Sequence, residues 1–110
     1  MRMWLVAPQH MCTKHLLGEH VELHMLMGCI EKEKSLKGYI NTGLIDISQI
    51  PSRHEQLVEE MTRRNYNHES PLLITEKMQV ASQTDNGYVD ISKSIADLSE
   101  RCKACETKLM

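Results

Sequence analysis

The residues that could do chemistry in this chain fall near its beginning and near its end. Met1 carries the chain's α-amine, and Glu22 lies within Lys14 to His24, a segment with a helical pattern. An α-amine has an ordinary pKa of roughly 7.7–8.0, against about 10.4 for a lysine side chain. Near neutral pH a usable fraction of it is therefore unprotonated. Set beside a carboxylate, such an amine can attack an aldehydic carbon and form a Schiff base. His20 and His24 are four residues apart and could share a metal on one helix face. The zincin pattern needs Glu directly after the first His, however, and Val21 stands there. Cys102-x-x-Cys105 is half of a zinc or redox motif. The other half would have to come from Cys12 and Cys29, which lack that spacing. Both Cys102 and Cys105 lie on the apolar stripe of a C-terminal helix, so core burial is the expectation. No metal and no other cofactor is expected.

These residues need helices to position them. Residues 1–9 read as extended, with Pro8 stopping any early helix. A first helix is expected from about Gln9 to Glu33, because Leu16, His20, Leu23 and Met27 recur at three- and four-residue steps. Gly18 weakens that helix by about 1 kcal/mol relative to alanine, which suggests a close approach there. Residues 34–50 read as a connector broken by Gly38, Asn41 and Gly43. A second helix is expected from Pro51 to Arg64, with Ser52 and Glu55 as a capping box and Leu57, Val58 and Met61 as its buried stripe. Residues 69–89 read as polar and irregular, with turns at Ser70-Pro71 and Asp85-Asn86-Gly87. A last helix is expected from Ile91 to Lys108, its stripe formed by Ile91, Ile95, Leu98, Cys102 and Cys105. The expected fold is a small all-α domain of three helices with long connectors, one domain over residues 1–110.

Composition narrows the function classes. With one Trp, three Tyr and no Phe, the core must be filled by Leu, Ile and eight Met. No apolar run is long enough to cross a bilayer, and the N-terminus does not resemble a signal peptide. A cytoplasmic protein with reduced thiols is expected, in the host's cytoplasm if the protein is viral. The net charge of −2 weighs against strong nucleic-acid binding, since phosphate contacts supply most of such affinity.

The stretch His15-Leu16-Leu17-Gly18-Glu19-His20-Val21-Glu22-Leu23 resembles the bacteriophage-type pyrimidine dimer DNA glycosylases. The second helix, Arg53-His54-Glu55-Gln56-Leu57-Val58-Glu59-Glu60 through Arg64-Asn65-Tyr66-Asn67, and the Met-Arg-x-Trp opening are similar to that family too. The resemblance covers roughly residues 1–71. It implies an all-α enzyme that cuts the glycosyl bond of a cyclobutane pyrimidine dimer and then nicks the strand by β-elimination, as a DNA glycosylase and AP lyase without a metal. It also implies that the N-terminal amine is the nucleophile, here Met1, and that the second Glu of the motif, here Glu22, is the essential carboxylate. The family's spacing places Arg2 next to the nucleophile and His15 in the site. Arg2, Arg53, Arg63 and Arg64 are candidates to hold phosphates. His15, His54, Asn67 and His68 are candidates for substrate contacts. The partner would be double-stranded DNA containing a damaged pyrimidine or an abasic site, bound by a monomer.

Val21 and Met25 stand where the family commonly carries Arg, and Asn65 replaces the usual Gly after the second helix, a substitution that Asn tolerates at positive φ. Two other readings stay open. One is a non-catalytic relative that binds DNA or a protein on the same fold, which the net charge, Val21 and Met25 favour. The other is a small helical metal-binding protein built on the His and Cys residues.

Overall fold

The computed structural model describes residues 1–67, 71–84 and 87–109. His68, Ser70, Asp85 and Asn86, singled out above, lie outside the described residues. The chain is all-α. Its helices are α1 (Thr13–Glu31), α2 (Lys37–Asn41), α3 (Ile50–Arg63), α4 (Glu76–Thr84), α5 (Ile91–Arg101) and α6 (Lys103–Leu109). The expected helices sit at α1, α3 and α5–α6, and the connectors contain the short helices α2 and α4.

α1 begins at Thr13 and not at Gln9. Pro8–His10 form a separate 3₁₀ turn with Pro8 at its start, and Met11 and Cys12 are extended before α1 begins. The buried face of α1 is Leu16, Glu19, His20, Leu23, Leu26, Met27 and Ile30. That spacing of three and four residues packs α1 against α3 and α4. α3 starts at Ile50, one residue before the expected Pro51. The capping box does not form. Asp46 organises the approach instead, its carboxylate accepting from the Ser48 N–H at 3.2 Å, the Ser48 hydroxyl at 2.6 Å and the Gln49 amide at 2.8 Å. The Ser52 hydroxyl donates to the Gln49 carbonyl at 3.2 Å. At the other end Asn65 adopts φ +64°, as the substitution for Gly predicts. The Tyr66 N–H reaches the Met61 carbonyl at 2.8 Å and the Asn65 N–H the Thr62 carbonyl at 2.9 Å, a Schellman closure.

α4 occupies a stretch expected to be irregular. The Thr75 hydroxyl accepts from the Met78 N–H at 3.3 Å, and Met78 is the residue that buries against the core. One buried side chain among polar neighbours leaves too faint a periodicity to read. Gly87 sits at φ +84°, and a Cβ there would lie 2.3 Å from the Ile45 carbonyl oxygen, so this position requires glycine. The last helix is interrupted: Cys102 is extended at φ −138° and ψ 111°, which separates α5 from α6. Leu98 and Cys105 are buried, but Ile91 and Ile95 face outward, contrary to the expected stripe.

The first residues are threaded into the core. Met3, Trp4 and Val6 are buried. The Met3 N–H donates to the Leu44 carbonyl at 2.7 Å, and the Met3 sulfur accepts from the Asp46 N–H at 3.5 Å. Leu5 takes a left-handed φ of +55°, which costs about 1–3 kcal/mol. Burial of the three neighbouring apolar side chains offsets that cost at roughly 1.5–3 kcal/mol each.

One charged cluster at the end of α3 makes a prediction. Glu60 is buried and accepts from Arg63 at 2.8 and 2.5 Å and from Arg64 at 2.6 Å. The Arg63 hydrogen bonds, and then those of Arg64, outweigh burial and hold the Glu60 carboxyl down at about 2 from an ordinary 4.5. A depressed folded-state pKa gives stability that is present above the unfolded value and is lost as pH falls toward the folded one. Arg63 is largely exposed, so solvent screening limits the gain to about 2 kcal/mol. Glu60→Gln is expected to lose that amount at pH 7. The difference from the parent should shrink below pH 4.5 and vanish near pH 2, as followed by urea denaturation.

Candidate active site

A cleft of about 470 Å³ opens between the N-terminal segment, the first turns of α1 and the end of α5. Met1, Arg2, Trp4 and Leu44 form one side; Lys14, His15, Gly18, Glu19 and Glu22 of α1 form the floor, and Arg101 stands at the rim. The structure therefore brings Met1, Arg2, His15 and Glu22 to one cavity. The Glu22 carboxylate accepts from the Arg2 backbone N–H at 3.4 Å, which puts it one residue along the chain from the α-amine. The wedge of Met3 and Trp4 in the core and the Met3–Leu44 hydrogen bond fix that arrangement. A Cβ at Gly18 would meet nothing within 4 Å, so no group of the protein makes the close approach expected there and the glycine borders open cleft.

Arg2 is held from several sides. Its guanidinium lies 3.8 Å over the Trp4 ring, 3.4 Å from an Asp97 oxygen and 3.5 Å from the Ser94 hydroxyl. Its Nε is buried without a hydrogen-bond partner. The His15 ring meets Trp4 edge-on at 5.9 Å. Burial, followed by the charge of Lys14, lowers the His15 pKa against the opposing pull of Glu22, which favours a neutral imidazole at pH 7.

The remaining sequence candidates are placed elsewhere. Arg53 is buried, and it makes a two-pronged bond to the buried Glu19, from Nε at 2.7 Å and from Nη2 at 2.9 Å. It also reaches Gln56 at 3.2 Å and the Met11 sulfur at 3.3 Å. This side chain holds α1 to α3 and faces no phosphate. Arg64 is turned inward as well, donating to the Met11 carbonyl at 2.7 Å and the Pro8 carbonyl at 3.2 Å besides Glu60. Arg63 and Asn67 are exposed. His54 is buried in a ring cluster with His20 and His24, the centroids 4.9 to 5.3 Å apart. His54 thus supplies the third imidazole that the sequence did not reveal beside His20 and His24. Val21 and Met25 form an exposed apolar pair on α1.

Sequence reasoning missed Lys14 and Arg101 at the cleft and Ser94 and Asp97 behind Arg2. Lys14 adjoins the His15 motif and was within reach. The other three lie on α5, and nothing local ties them to the first residues. Arg2 is paired with Asp97 and Glu19 with Arg53, so the two missed cations, Lys14 and Arg101, stand against Glu22 at the cleft. The local charge therefore opposes the net −2 of the chain. A larger cleft of about 560 Å³ lies between the end of α1, α2 and α4, but only surface lysines and glutamates supply its ionisable groups.

A family model described as pyrimidine dimer DNA glycosylase matches residues 1–73. Neither a search of curated proteins nor one of solved structures returns a match. The matched part holds every cleft residue except Arg101, while α4, α5 and α6 lie beyond it.

Proposed function

The chain belongs to the pyrimidine dimer DNA glycosylase family, and from that premise we propose that it excises damaged pyrimidines and then nicks the strand as an AP lyase, using the Met1 amine and Glu22. The observation that carries the reading is the shared cleft, with the Glu22 carboxylate on the Arg2 N–H at 3.4 Å. The unprotonated amine attacks the sugar C1′, and the base leaves with the glycosyl electron pair and takes up a proton. The C1′–O4′ bond then opens, O4′ leaving with its electron pair and gaining a proton, as the C1′–nitrogen double bond of the imine forms. Glu22 stabilises the positive charge that develops on the sugar. It then assists removal of the proton whose loss drives β-elimination of the phosphate. A lesion that already weakens stacking lowers the cost of opening the duplex to present C1′. Lys14 and Arg101, with Arg2 braced by Asp97 beside them, supply the positive rim for the backbone, and Arg63 at the end of α3 and Asn67 beyond it are the exposed candidates.

Borohydride trapping on DNA containing an abasic site tests this. Protein beginning at Met1 should be captured covalently. A form with one extra N-terminal residue should not be captured, while its circular dichroism and melting temperature stay unchanged. Equal trapping of both forms would overturn the assignment to Met1, as would trapping lost on Lys14→Met while binding of the abasic-site DNA is unchanged. Binding of damaged DNA by the Met1 form with neither trapping nor nicking would instead establish a non-catalytic member of the family.

A further inference from the structure

The two ends of the described chain meet at a cluster that the glycosylase chemistry does not use. Cys12 and His15 stand at the head of α1. Cys102 is the extended residue between α5 and α6, and Cys105 lies in the first turns of α6. The Cys12 sulfur is 3.2 Å from His15 Nδ1 and 3.7 Å from the Cys102 sulfur, and the Cys105 sulfur is 3.7 Å from His15 Nδ1. All four donor atoms lie within 4.8 Å of one another.

These distances can be compared with a coordination sphere. Zinc bonds of about 2.3 Å to sulfur and about 2.0–2.1 Å to nitrogen in a tetrahedron separate two sulfurs by about 3.8 Å, and a sulfur from a nitrogen by about 3.5 Å. These three contacts lie within about 0.3 Å of those edges. A disulfide requires sulfurs at about 2.05 Å, far inside the observed 3.7 Å. The spacing agrees as well: Cys12-x-x-His15 and Cys102-x-x-Cys105 are two ligand pairs two residues apart internally, the arrangement of structural zinc sites. Cys12 finds its partner in His15 and not in Cys29.

Backbone groups around the cluster also suit bound thiolates. The Cys12 N–H donates to the Cys105 sulfur at 3.2 Å, and the Cys105 N–H donates to the Cys102 sulfur. Such outer contacts orient sulfur ligands and stabilise their charge. The break of the last helix at Cys102 now has a use, because it lets both cysteines turn toward Cys12 and His15. The edge-on contact with Trp4 fixes the His15 ring.

We propose that Cys12, His15, Cys102 and Cys105 bind one zinc ion as a closed structural site that fastens α5 and α6 to the head of α1. With four protein ligands no position is left for substrate, so the ion acts on the architecture and not on the reaction. Its place is consequential even so. His15 and Lys14 line the cleft from one side of the cluster, Arg101 lines it from the residue before Cys102, and Asp97 and Ser94 on the same helix hold Arg2. The ion would set the wall of the cleft that lies beyond the family-matched residues.

The test uses the full chain purified under reducing conditions from zinc-supplemented cells. Elemental analysis should give about one zinc per chain. Cys102→Ser and Cys105→Ser should each lose most of it, while Cys29→Ser should retain it. Wild-type protein reconstituted with cobalt(II) should show the strong red-region bands of a tetrahedral site and a near-ultraviolet thiolate charge-transfer band, a readout that needs no variant to fold. Chelation should lower the melting temperature by more than about 10 °C. Three results would each overturn the site: reduced wild-type protein without stoichiometric zinc, an octahedral cobalt spectrum without charge transfer, or equal metal loss on Cys29→Ser. Native protein isolated with two of its four thiols oxidised to a Cys12–Cys102 disulfide, and binding no cobalt after reduction, would do the same.

Discussion

Glu22→Gln is expected to reduce strand nicking of ultraviolet-irradiated duplex DNA by roughly 10²- to 10⁴-fold, the range that general acid–base groups contribute. Glutamine matches the shape of the carboxylate and keeps an oxygen for the Arg2 N–H that now binds at 3.4 Å. The first turns of α1 and the position of the chain terminus should therefore survive the change. What disappears is the negative charge facing the developing positive charge on the sugar, together with the acceptor for the proton lost in elimination. Melting temperature should stay within about 2 °C of the parent, because a partly exposed carboxylate with one long hydrogen bond contributes little to folding. Nicking assays on a plasmid, run beside thermal melts, check both halves. Nicking within a few-fold of the parent would remove Glu22 from the reaction.

A much larger effect on stability is expected from Arg53→Ala. The Glu19 carboxylate is fully enclosed, and Arg53 is its counter-charge through two bonds of 2.7 and 2.9 Å. Removing the guanidinium leaves an uncompensated buried charge and a void, at a cost of roughly 3–5 kcal/mol. Total stability for a domain of this kind is about 5–15 kcal/mol, so a large share is lost and the melting temperature should fall by roughly 15–30 °C. The double variant with Glu19→Leu and Arg53→Met should recover much of that loss, since an apolar pair needs no partner charge. Calorimetry on the single and double variants measures the difference. If Arg53 instead served phosphate, the single variant would melt normally and lose only salt-dependent DNA affinity.

The contrast between Glu22 and Arg53 shows what could be read from the sequence. α1 and α3 were legible because Leu16, Leu23 and Met27 on one, and Leu57 and Met61 on the other, repeat at helical steps. The positive φ of Asn65 was legible because few side chains tolerate it. Arg53 was misread because arginines are ordinarily solvated. The clue was there: Glu19 shares the face of Leu16, Leu23 and Leu26, and a carboxylate on an apolar stripe needs a cation on the facing helix. α4 was missed because Met78 is the lone buried side chain among its described ones. The break at Cys102 was missed because the stripe of the last helix continues across it in sequence, whereas only contact with Cys12 and His15 gives the break a reason. Ser94, Asp97 and Arg101 could not be assigned at all. Their bearing on the cleft depends on how α5 docks, which no local pattern encodes.

The tether of Arg2 has a consequence for biosynthesis. Its partners Ser94 and Asp97 are separated from it by 92 and 95 positions, and Met3 binds the backbone at Leu44. A growing polypeptide on the ribosome therefore presents the Arg2 side chain well before Ser94 and Asp97 exist to receive it. Glu22, Leu44 and most of the cleft emerge early, whereas Arg101 and the partners of Arg2 on α5 emerge last of the groups around it. Nascent chains arrested before α5 should accordingly carry the N-terminal segment without the contacts that hold the Arg2 guanidinium.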